Sequence, residues 1–314
     1  MDTLTHFLDG PHARRAFALR VVMNPPWCLD VRDRAPLTVM AVLTGHAWLV
    51  TDGEAIALGT GDIALVRGPE PYVVADEPER KASIIIHPGQ ECTTLGGEPV
   101  RLSMSRGVRT WGNTAVGETT MLIGTYESDA EIGSTVTAAL PRTAVVPAGK
   151  VSPGLVQLLA GEVGTDAPGQ GSVIDRLLDV LLVHCVRAWT AAHPEQARGW
   201  LSTGADSVVG QALELLHGLP ADPWTLESLA ARVNVSRATL AARFRNSVGE
   251  PPMTYLTNWR MVLASELLAD PHRTTARIAG EIGYGSPFAL STAFKRRYGV
   301  SPTEYRRRKY AAPA

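Results

Sequence analysis

The sequence predicts an α+β multidomain chain: an antiparallel β-rich barrel, a helical segment, then an all-α unit built on a doubled helix-turn-helix. Three observations carry this. Residues 18–147 hold short β-rich runs separated by Gly, Pro and Asp-Gly turns at intervals near ten residues. Residues 152–218 have helical apolar spacing. The last hundred residues then say the same thing twice.

The β-rich runs are ALRVVM, LTVMAVLTG, AWLVTDG, AIALGTGD, IALVRGPEP, YVVAD, ASIIIHPG and MLIGTYE. In the helical stretch, Ser172-x-x-Asp175 opens a helix whose stripe is Val173, Ile174, Leu177, Leu178, Leu181, Leu182, Cys185 and Trp189. That stripe fits either a homodimer interface through Ile174, Leu178, Leu181 and Cys185, or packing on the chain's own barrel. GWLSTGAD (199–206) reads as a flexible linker. The expected domains are 1–150, 151–198 and 207–314.

In the repeat, Ser236, Leu240, Phe244, Gly249, Pro252 and Tyr255 recur as Ser286, Leu290, Phe294, Gly299, Pro302 and Tyr305. Before the turn the offset is one shorter: Leu229, Ala230 and Val233 recur as Ile278, Ala279 and Ile282. Each copy reads as an apolar helix, a short turn, a serine N-cap and a second helix closed by glycine. With Leu240 and Phe244 facing inward, the outer face of the first copy is Ala238, Ala241, Ala242 and Arg245, beside Ser236 and Arg237. In the second copy it is Phe288, Ser291, Thr292 and Lys295, beside Ser286, Pro287 and Arg296. Between the copies, Pro252–Leu268 reads as a joining helix of roughly 25 Å. That is the scale that sets two reading helices in successive major grooves of double-stranded DNA.

On PWTLESLAARVNVSRATLAARF, GEPPMTYLTNWRMVLASELL and IAGEIGYGSPFALSTAFKRRYGVSPTEYRR, residues 207–308 resemble the AraC/XylS transcription regulators. The resemblance implies promoter binding by two recognition helices, and contact with RNA polymerase if the chain activates. The family often places long basic residues where this chain has Ala238, Ala241, Ala242, Phe288, Ser291 and Thr292. Direct base readout is therefore expected to be thin, with Arg237, Arg245, Lys295, Arg296 and Arg297 on phosphates. Ordinary solvated surface is the competing reading for each of these cations.

VLTGHAWLVTDGEAIALGTGDIALVRGPEPYVV resembles a cupin, through its VLxG, its LxxGD and the Pro-rich turn before Tyr72. The cupin metal set is missing: no His or Glu lies between Pro36 and Gly45, and Tyr72 stands where the later His would be. The barrel is expected to bind a small-molecule effector rather than to catalyse. Trp27, Met40, Trp48, Tyr72 and Trp111 are its candidate lining, or plain core. No cofactor is expected unless Cys28, His87 and Cys92 form a zinc site or a redox disulfide; inert buried thiols are the other reading.

Charge divides along the same boundary. Residues 206–314 carry 14 Lys+Arg against 9 Asp+Glu, and the remainder 16 against 22, so the basic half is the one with the DNA-reading pattern. Met1–Arg15 has no signal-peptide core and no apolar run reaches a membrane span. With three cysteines, an odd number, the sequence reads as cytoplasmic. Two rivals stay open. One is a cupin enzyme with an accessory DNA-binding tail. The other is a constitutive DNA binder with a purely structural barrel.

Overall fold

The computed structural model describes residues 17–126, 140–196, 207–268 and 270–311; the linker read at 199–206 lies outside them. The chain divides into two compact units, one holding the strands with the first two helices and one holding the rest.

The first unit is a two-sheet β-barrel. Its strands are β1 (Phe17–Met23), β2 (Cys28–Val31), β3 (Leu37–Thr44), β4 (His46–Thr51), β5 (Glu54–Gly59), β6 (Ile63–Arg67) and β7 (Tyr72–Ala75). They continue as β8 (Ile84–His87), β9 (Glu91–Thr94), β10 (Ser105–Gly107), β11 (Thr110–Gly112), β12 (Thr119–Tyr126) and β13 (Thr143–Val146). One sheet runs β10-β11-β1-β12-β3-β6-β13, the other β5-β4-β7-β2-β8-β9. Inward residues of both sheets, including Val21, Met40, Val42, Leu49, Leu58, Tyr72 and Val74, form one core. All the runs named from sequence are strands; β2, β9, β10, β11 and β13 are additions.

β3 is buried on both faces from Leu37 to Val42. Its inner face meets the barrel core. Two helices, α1 (Pro153–Val163) and α2 (Gln170–Ala192), pack against each other and against β1 and β13. Of the helical segment drawn at 151–198, residues 151–193 are thus a layer of the barrel unit. Ile174, Leu178, Leu181 and Cys185, read as a dimer interface, are instead buried within the chain, each no more than 1% exposed. The reason sits opposite them: a Cβ at Gly124 of β12 would lie 2.4 Å from Leu178 Cδ2. Tyr126 at the end of that strand donates its hydroxyl to the Leu178 carbonyl at 2.8 Å. The outward face of α2 is left with Val173, Arg176, Val180, His184 and Arg187.

The second unit is all-helical: α3 (Ser207–Gly218), α4 (Leu226–Arg232), α5 (Arg237–Val248), α6 (Pro252–Leu267), α7 (Thr275–Glu281), α8 (Pro287–Tyr298) and α9 (Pro302–Ala311). α6 serves both halves. Its Tyr255 meets Phe244 edge-on at 5.6 Å, and its Trp259 lies 4.9 Å from the His217 ring of α3. Further along, Met261 and Ala264, with Leu268 just past the helix end, join Ile278, Ala279, Ile282, Leu290 and Phe294 in the second core.

Candidate nucleic-acid interface and barrel cavity

The two helix-turn-helix copies close in the same way. Asn234 (φ 56°) and Gly283 (φ 80°) take the left-handed turn position. The next amide then returns to the preceding helix, Val235 to the Ala230 carbonyl at 3.0 Å and Tyr284 to the Ala279 carbonyl at 2.8 Å. The residue inserted in the second copy is therefore Gly285, between Tyr284 and the serine cap. Ser236 accepts from the Thr239 amide at 3.1 Å and Ser286 from the Ala289 amide at 3.2 Å. Each cap of this kind contributes about 1 kcal/mol and fixes where the reading helix starts.

Both reading helices turn their expected face outward. Leu240, Phe244, Leu290 and Phe294 are fully buried. Ala238, Ala242, Arg245, Phe288, Thr292, Lys295 and Arg296 are exposed, and Ala241 and Ser291 are half-buried beside them. Arg237 is exposed and lies 3.9 Å from Glu227, an interaction that water screens. Arg297 lies near Glu250: burial raises the Glu250 carboxyl pKa, while the Asn258 amide and the Arg297 charge oppose that rise. Arg273 and Arg277 pair with Glu281.

The barrel holds a partly open cavity of about 390 Å³ between its sheets, within the range of small-molecule sites. Along β1 it is lined by Phe17, Leu19 and Val21, which spans about 13 Å at 3.3 Å per residue. At one end Trp111 and Met121 flank Val21. At the other, Thr125 pairs with Phe17 and Thr38. Tyr72 hydrogen-bonds Thr38, and burial with the nearby Asp33 pushes its phenol well above the ordinary range. Asp33 accepts from the Ala35 amide at 3.1 Å and from Gln90; burial nevertheless raises its pKa. Leu19, Val31, Met40, Ile86 and Ile123 make the apolar middle. The Trp111 indole N–H is buried with no hydrogen-bond partner.

Met40, Tyr72 and Trp111 line this cavity as the sequence reading expected. Trp27 and Trp48 do not. Trp27 is core, 2% exposed and outside the lining. Trp48 points out of the barrel because its neighbours Ala47 and Leu49 take the inward parity of β4. Asp33, Gln90 and Arg109 are lining residues that sequence reasoning missed, since single polar residues between strands carry no periodic signal.

The Cys28, His87 and Cys92 grouping is corrected. Cys92 faces the cavity in the row of Ile86 and Val31. Cys28 sits three residues before Val31 on β2, with the opposite parity, so the two sulfurs lie on opposite faces of one sheet. A bridge needs Cα atoms about 4.4–6.8 Å apart and facing sides. Burial also pushes the Cys28 thiol up to about 11, away from thiolate chemistry. His87 hydrogen-bonds Thr93 at 2.9 Å. Among the described residues no three His, Cys, Asp or Glu are grouped to hold a metal. Also among them, no helix is long and apolar enough to cross a membrane.

Comparison with known proteins agrees with both halves. Residues 2–191 match a cupin family model and residues 229–308 a helix-turn-helix domain model. The chain is 34% identical over 316 residues to an AraC-like transcription regulator of Streptomyces lividans, covering 98% of each. It is 33% identical over 314 residues to another from Streptomyces antibioticus, covering 98% of this chain and 99% of that one. It is 29% identical over 320 residues to the HTH-type transcriptional regulator AlkR of Acinetobacter baylyi, again covering 98% and 99%.

Proposed function

Because the chain belongs to the AraC-like transcription regulators, with a cupin domain ahead of a helix-turn-helix domain, we propose that the barrel cavity is where it receives its signal. A small molecule with an apolar body and a polar end enters the space between Trp111 and Asp33. Its binding shifts the population between arrangements that hold promoter DNA well and poorly, as any ligand with unequal affinity for two states must.

The observation that carries this reading is the pairing of a roughly 13 Å apolar trough with buried polar groups, above all the unpaired Trp111 N–H. Leaving a buried donor unmade costs about 1–3 kcal/mol, which a ligand acceptor recovers once the cavity wall shifts enough to admit it. A structural barrel would gain by filling that space with side chains. We read the barrel as a receptor and not as an enzyme, since the cupin His/Glu set is replaced by apolar residues and Tyr72.

The test is a thermal-shift screen of the full chain against small amphiphiles, followed by DNA affinity with each hit. The expected result is a hit that raises Tm, changes DNA affinity, and loses its effect in Trp111→Phe, which keeps the ring and removes the N–H. If hits raise Tm and leave DNA affinity unchanged, or if Trp111→Phe responds like wild type to all of them, the reading fails.

A further inference from the structure

Apart from Arg237, the outer face of the first two turns of the reading helices carries small or apolar side chains, Ala238 and Ala242 on α5 and Phe288 and Thr292 on α8. Phe288 is 82% exposed and, among the described residues, is the one Phe, Tyr or Trp left exposed. It occupies the second position of α8, on the face opposite buried Leu290 and Phe294. One turn later Thr292 donates its hydroxyl to the Phe288 carbonyl at 3.0 Å. That donor is taken up within the helix, so Thr292 offers its methyl and its oxygen lone pairs. The equivalent positions on α5 are Ala238 and Ala242, both exposed. Of the long polar side chains on this surface, Arg237 opens α5 beside Glu227 at 3.9 Å, while Arg245, Lys295 and Arg296 fall in the last turns.

A helix in the major groove contacts base edges with its N-terminal residues. There each base pair offers donors, acceptors and, on thymine alone, a C5 methyl. Ala238, Ala242, Phe288 and Thr292 lack the paired donors that recognise guanine and the amide that recognises adenine. Their complement is the methyl. We propose that this regulator reads its DNA site mainly through thymine methyls, with Phe288 as the principal specificity-determining residue. The cations hold phosphates and set affinity without choosing sequence. This rests on the DNA-binding assignment of the helix-turn-helix domain.

The experiment begins with sites enriched from a random double-stranded library by the full chain. Each thymine is then replaced singly by deoxyuridine, which keeps the base pair and removes only the methyl. Losing one buried methyl should weaken binding about fourfold at the contacted positions. Phe288→Ala should bind the thymine site as wild type binds the matching deoxyuridine site, and should no longer distinguish the two. Phe288→Leu, still apolar, should keep part of the preference. Since Phe288 is exposed, these variants leave the helical core untouched. The proposal is overturned if every single replacement changes affinity less than twofold. It is also overturned if Phe288→Ala weakens both sites and keeps the thymine preference, as for a ring wedged between bases. A chain that enriches no site overturns the DNA-binding assignment together with this proposal; equal affinity of the wild-type chain for the thymine and deoxyuridine sites overturns the proposal alone.

Discussion

The Arg260 guanidinium lies 5.9 Å from the centroid of the Tyr284 ring, while its Nε and Nη2 donate to the Pro220 and Asp222 carbonyls at 2.7 and 2.8 Å. One side chain on the joining helix α6 thus holds the approach to the first helix-turn-helix and the turn of the second. Gly283, beside Tyr284, is packed so closely that a Cβ there would meet Ala221 O at 2.6 Å and Arg260 Nη2 at 2.8 Å.

Arg260→Ala removes two charge-assisted hydrogen bonds and a cation–π contact, so it should destabilise the helical unit by about 2–4 kcal/mol. It touches no phosphate candidate. DNA affinity should therefore fall with an unchanged salt slope, read by melting and by binding at several ionic strengths.

Lys295→Ala and Arg245→Ala should each weaken binding to all sequences alike and reduce the salt slope by about one. Binding measured between about 50 and 200 mM salt on a selected and a random duplex checks this.

Ala242→Arg places a guanidinium where the first reading helix now offers a methyl. The preferred site should gain a guanine at one position, worth about 1–3 kcal/mol of discrimination. Parallel selections with both proteins give the answer.

Leu178→Asp should unfold or severely destabilise the barrel unit, by about 3–5 kcal/mol, because it buries an unpaired charge against Gly124 and Tyr126. Val180→Asp, on the outward face of α2, should melt near wild type. Denaturant curves of the two variants separate packing on the barrel from a surface role.

Asp33 has a raised folded-state pKa, so the folded barrel disfavours its carboxylate. The sign follows from linkage: the penalty is present at pH above the raised pKa and disappears as pH falls below the ordinary aspartate value. Asp33→Asn, which can still accept from the Ala35 amide, should therefore raise Tm at neutral pH. The gain should close as pH falls through the carboxylate range.

The doubled unit was legible because its caps, glycines and core positions are local and repeat at fixed spacing; even the inserted residue is locatable once Asn234 and Gly283 are seen to share one turn conformation. The partner of the α2 stripe was not legible. An apolar stripe has the same spacing whether it meets a second copy or the chain's own sheet. The one trace of the answer was Gly124, a glycine inside the strand run MLIGTY, as expected where a helix comes close. Trp48 and the cysteines went astray through parity: on β4 both faces carry apolar residues, and Cys28 and Cys92 are on strands whose pairing sequence does not state. Asp33 enters the cavity from a loop and Gln90 from a single 3-10 turn, both too short to have a period to read.

In this reading of the molecule one chain presents two helices, α5 and α8, held by α6 to engage DNA together. Hydroxyl-radical footprinting of the full chain on a selected site tests it most directly. Two protected patches about one helical turn apart, roughly 34 Å, are expected on one face of the duplex. Protection confined to a single major groove would contradict it.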